Sequence, residues 1–182
     1  MQLLASLVSA LFVLLAGQAA TIAPAAEKTV SIPAMRVKFA APAKWTPEEV
    51  ELPKIGKAPP SVSLSFTEVA ETETVVVLVW QDEKLSTEEA AKRIDKAVKE
   101  MRESFKAGDF KTLADEEIKV AGQAGRTIEG EGKIGEQAFY NRVVVFALDG
   151  YLYRLHVNGK RETCEKYKAA IERMLATIQP VK

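Results

Sequence analysis

Cysteine and histidine occur once each in this chain of 182 residues, and the first 26 residues carry no charged side chain. Each scarcity excludes something. A lone thiol, Cys164, leaves no intramolecular disulfide, so packing alone must hold the core. One His and one Cys fall short of the usual zinc ligand sets unless carboxylates supply the rest, so no metal is expected, and no cofactor motif is present. Excess charge is missing too. The 25 basic and 25 acidic residues all lie beyond Ala26 and cancel. Nucleic-acid binding draws on an excess of Lys and Arg, and a polybasic membrane patch does the same, so neither partner is expected. Neither Asn141-Arg-Val nor Asn158-Gly-Lys is an N-glycosylation sequon.

The uncharged N-terminus holds an apolar run, Leu3 to Leu15, followed by small residues with Ala-x-Ala-like sites near Ala19 and at Ala23-Pro24-Ala25. That layout predicts a cleaved secretory signal peptide over residues 1–26 and a secreted or periplasmic protein. An uncleaved anchor and a buried N-terminal helix are the alternatives. The run spans 13 residues, whereas a bilayer-spanning helix needs about 20. No Cys follows it to accept a lipid.

Residues 27–34 read as a tail, and 35–182 as one domain large enough for a proper core. Pro47 to Pro60 has four prolines, Gly56 and five charges, and reads as a loop. Ser61 to Thr67 alternates as a half-buried strand. Thr74 to Trp80 is rich in Val and Leu and reads as the central strand of a sheet. Ser86-Thr-Glu-Glu89 has capping-box spacing and opens an amphipathic helix with Ala90, Ile94, Ala97, Val98, Met101 and Phe105 on one face. Gly108 stands where a left-handed residue would end it. Strands follow over 118–121, 126–134 and 138–148, and Asp149-Gly150 predicts a tight hairpin into 151–157. A helix from about Thr163 closes the chain, ending before Pro180. The fold class is α+β: an antiparallel sheet of about six strands sandwiched by helices.

Phe39-x-x-Pro42-x-x-Trp45, the capped helix after the early strands, and Val120-x-Gly122-x-x-Gly125 leading into a meander with Tyr151-Leu-Tyr153 together resemble the PsbP/Mog1-like family. The likeness covers residues 35 to 180. It implies a sheet between helices and a non-enzymatic binding or assembly role, as in the photosystem members that help retain ions and the nuclear members that bind a small GTPase. No functional residue carries over, because no binding motif of either branch is present.

Catalytic constellations are sparse. His156 shares a strand face with Arg154 and has no nucleophile in a recognisable motif beside it, so a surface or hydrogen-bonded role is expected. Cys164 falls at i, i+3, i+7 with Tyr167 and Ile171, a core face. The acidic groups at Asp82-Glu83, Asp115-Glu116-Glu117 and Glu129-x-Glu131 match no EF-hand loop and read as solvated faces. The glycines at 122, 125, 130, 132 and 135 fit strand turns and bulges better than a phosphate loop. Trp45 and Trp80 are expected in the core, with a loop-rimmed binding site as the alternative.

These residues predict an exported, non-enzymatic domain that binds another envelope or secreted protein or assists envelope assembly. Its contact surface would combine the 47–60 loop with Trp45, Trp80, Arg154 and His156. A carrier of a small apolar ligand in a sheet–helix pocket, and a hydrolase using surface carboxylates, are the alternatives.

Overall fold

A computed structural model describes residues 26–51, 61–70 and 73–181. The expected signal peptide and most of the Pro-rich stretch, residues 52–60, therefore lie outside the described residues.

The chain runs β1 (Glu27–Ile32), a 3-10 turn (Pro33–Met35), β2 (Val37–Pro42), β3 (Pro47–Glu51), β4 (Ser61–Phe66), α1 (Thr67–Ala70) and β5 (Val75–Gln81). Next come α2 (Thr87–Ala107), β6 (Lys111–Val120), β7 (Gln123–Ile134), β8 (Gln137–Leu148), β9 (Tyr151–Gly159), α3 (Arg161–Thr177) and β10 (Gln179–Pro180). Seven strands form one antiparallel sheet in the order β3-β4-β5-β9-β8-β7-β6, and β1-β2-β10 form a second, smaller one. The α+β class and the antiparallel sheet stand as expected.

Several boundaries differ. The segment expected as a tail is mostly β1, paired with β2 from Glu27↔Pro42 to Ile32↔Val37. Its Val30 and Ile32 alternate inward and are buried, so six residues with two apolar side chains suffice once the next strand supplies the ladder. The start of the expected loop is the edge strand β3, and Pro47 opens it, where a missing N–H is tolerated. The sheet's middle strand is β9, not the 74–80 segment, because β5 lies third from one edge.

The capped helix forms as the spacing predicts. Ser86 Oγ accepts from Glu89 N at 3.3 Å, and Ser86 N donates to the Glu89 carboxylate at 2.9 Å. Its end differs: Gly108 has φ −90°, and the left-handed residue is Asp109 at φ 55°. Gly108 serves close approach instead, since a Cβ there would lie 3.2 Å from the Phe110 ring. At the β8–β9 turn, Asp149 and Gly150 both take positive φ, as a tight hairpin requires.

Strand alternation divides the core into two layers. On one face of the large sheet, α3 and the small sheet bury Met35, Phe39 and Trp45 against Leu64, Phe66, Leu78, Phe146 and Tyr153. On the other face, α2 lays Ala90, Ile94, Ala97 and Phe105 onto Ile128, Val143, Val145 and Leu152. Gly130 of β7 lets this helix approach closely, since a Cβ there would lie 2.5 Å from the Phe105 ring, and Gly132 makes room for the Phe110 ring just past the helix end.

Candidate functional surface

The α2 layer is one helix wide, and the sheet beneath it has seven strands. One helix covers about 10 Å, while seven strands at about 4.8 Å spacing extend roughly 30 Å. Among the described residues, the β4–β5 side of that face therefore has no helix over it.

Register specifies which side chains lie there. Ser65, Val77, His156 and Val143 sit side by side across β4, β5, β9 and β8. The row above holds Val75, Asn158 and Asn141, and the row below Val79, Arg154 and Val145. Val75 is 44 % exposed, and Val77 and Val79 are half-buried. Among these valines stand the half-buried polar side chains of Arg154, Asn158 and Asn141, and their Arg154 Nε, Asn158 Oδ1 and Asn141 Oδ1 atoms have no hydrogen-bond partner among the described residues. Burial, and secondarily the Arg154 charge, hold the His156 imidazole below its ordinary titration range.

The four residues expected to share one contact surface do not. Val79 pairs with Arg154, and Val77 with His156, whereas Trp80 pairs with Tyr153 on the opposite face. Trp45 is also on that opposite side, 4.7 Å from Phe66 and 5.7 Å from Tyr167 between ring centroids, and is fully buried. Only Arg154 and His156 reach the open face. The valines and asparagines were missed because the local pattern points the other way. Residues 75–80 are apolar on both faces, which reads as a doubly covered strand. Here no helix among the described residues covers one face.

Each carboxylate cluster meets at least one guanidinium group. Glu129 meets Arg142 at 3.2 Å and accepts from Tyr140 Oη at 2.8 Å. Glu131 pairs with Arg161 at 2.6 Å, Glu83 with Arg93 at 2.9 Å, and Asp115 with Arg102 and Arg126. These Arg partners, chiefly Arg102, hold the Asp115 carboxyl below the usual range. Cys164 is buried, and burial pushes its thiol up to about 11. That disfavours the reactive thiolate. Among the described residues, no cluster of His, Cys, Asp and Glu could hold a metal ion. A separate cleft of about 530 Å³ opens between α2 and the β6–β7 turn, with Ala91, Ile94, Ile118 and Ala124 on its walls.

Solved structures share this fold. The chain is similar to the cyanobacterial PsbP (CyanoP) of Synechocystis sp. PCC 6803, with TM-score 0.54 and 12 % identity, covering 91 % of this chain and 98 % of that one. The fold is PsbP-like. LpqN of Mycobacterium tuberculosis, described as involved in cell envelope biogenesis, superposes with TM-score 0.54 at 12 % identity over 86 % of this chain and 91 % of its own. No family model and no curated protein matches the sequence. Among the described residues, no helix of this PsbP-like domain is long and apolar enough to cross a membrane.

Proposed function

We propose that this chain is an exported, non-catalytic accessory domain of the PsbP/Mog1-like family, secreted or periplasmic. Its open sheet face would bind another envelope or secreted protein. The observation that carries the reading is the stripe of Val75, Val77 and Val79 beside the half-buried Arg154, His156 and Asn158, with no helix over it among the described residues. Apolar side chains set among polar ones are what a protein interface covers. The likeness to LpqN, itself described in terms of envelope biogenesis, supports the reading at the level of fold.

Site-specific photocrosslinking tests it. A photoreactive residue at Val75 should capture one defined protein in envelope preparations, and Arg154→Glu should abolish that capture. The same probe at Glu103, on the exposed side of α2, should not capture it. Identical products from both positions, or none from Val75, would overturn the reading.

The cleft between α2 and the β6–β7 turn favours a second reading, a carrier of a small apolar ligand. Native mass spectrometry of the purified protein would then show a bound lipid-sized mass that Ile94→Glu removes.

A further inference from the structure

A second recess lies on the opposite side of the molecule and does not depend on the open sheet face. It has a volume of about 470 Å³ and is lined by Pro33, Ala34, Arg36, Trp80, Asp82 and Val181. Three remote parts of the chain meet here: the 3-10 turn after β1, the end of β5, and the C-terminus. The last is held in place where Val181 N donates to the Arg36 carbonyl at 2.9 Å.

The polar groups of this recess are unspent. Trp80 is 5 % exposed and closes one wall with its ring. Arg36 takes a left-handed backbone conformation at φ 55°. Its guanidinium sits 5.1 Å from the Tyr151 ring centroid, and the Trp80 ring lies 5.8 Å from the same ring. Stacked there, the guanidinium has no carboxylate partner among the described residues, although its planar fork suits one. Asp82 supplies a carboxylate likewise without an ion pair. Pro33, Ala34 and Val181 make the remaining wall apolar.

The geometry points to a binding site for a small zwitterion of the α-amino-acid type with an apolar side chain. Its carboxylate meets Arg36, its ammonium group meets Asp82, and its side chain lies against Pro33, Ala34 and Val181 beside the Trp80 ring. A lone cation cannot engage Arg36, and a lone anion leaves Asp82 unpaired. Only a ligand bearing both charges uses the donors and the acceptor together.

Indole N–H resonances test this directly, because the chain has two tryptophans and only Trp80 lines the recess. The full chain, labelled with ¹⁵N, is titrated with L-leucine, with 4-methylpentanoate (no amine) and with 3-methylbutylamine (no carboxylate). L-Leucine should move the Trp80 indole signal saturably, with a millimolar or tighter Kd, and leave Trp45 unmoved. Arg36→Gln and Asp82→Asn should each weaken binding at least about fivefold. Both side chains are exposed, so neither change empties the core. No saturable shift with L-leucine, equal affinity for 4-methylpentanoate, or unchanged affinity in both variants would overturn the proposal.

Discussion

Tyr153 donates its hydroxyl to the Met35 carbonyl at 2.8 Å, across 118 residues of sequence, inside the core. The bond ties β9 of the large sheet to the turn between β1 and β2 of the small one. It gives the small sheet a polar anchor in an otherwise apolar contact, and burial raises the phenol's pKa above its ordinary value.

Removing that hydroxyl should be costly out of proportion to its size. Tyr153→Phe leaves a buried carbonyl unpaired and should destabilise the fold by about 1–2 kcal/mol in urea unfolding. The raised phenol pKa also gives a pH signature. The stabilisation is complete below the unfolded value of 10.0 and is lost as pH rises above it. The wild-type protein should therefore lose stability faster than Tyr153→Phe in alkali; parallel curves would refute this role.

His156 should make the domain acid-sensitive. Its folded imidazole resists protonation, whereas the unfolded one titrates near 6.5. Below that pH the unfolded chain binds more protons, so stability falls as pH drops. His156→Gln should flatten the profile between neutral pH and the carboxylate range, as read by thermal melts at several pH values.

Gly130 should tolerate no methyl group. A Cβ there meets three atoms of the Phe105 ring within 3.0 Å, and that ring is itself stacked on Phe110 at 5.6 Å. Gly130→Ala should cost about 1–3 kcal/mol. Combining it with Phe105→Leu should give less than the sum of the two single losses. Strict additivity would show that the helix does not bear on this glycine.

Arg142 is 8 % exposed and bridges Glu129 at 3.2 Å to Glu172 of α3 at 2.6 Å. Arg142→Met strands a half-buried carboxylate and should cost about 3 kcal/mol. Adding Glu129→Gln, which removes the charge and keeps an acceptor for Tyr140, should recover part of that loss. A double variant no more stable than the single one would assign the loss to packing.

Local chemistry was legible where a few neighbouring residues suffice. The capping box at Ser86 and Glu89, the stripe of Ala90, Ile94, Ala97 and Phe105, and the Asp149-Gly150 turn all depend on contacts within a few positions. The sequence by itself therefore determined α2, the β8–β9 hairpin and the antiparallel α+β class. It also determined that Cys164 faces the core, since helical periodicity alone places it beside Ile171. The residues of β1 were harder to read, because that strand is specified by its ladder with β2 rather than by its own alternation.

The candidate surfaces belong to the tertiary structure. Whether Val75, Val77 and Val79 are core or surface depends on how far one helix reaches across seven strands, a quantity no local pattern encodes. Which tryptophan shares a face with Arg154 depends on pairing: Trp80 is opposite Tyr153, one residue out of step with Arg154. A strand's side-chain period is two, so that single step put Trp80 in the zwitterion recess and His156 on the open face, on opposite sides of the sheet.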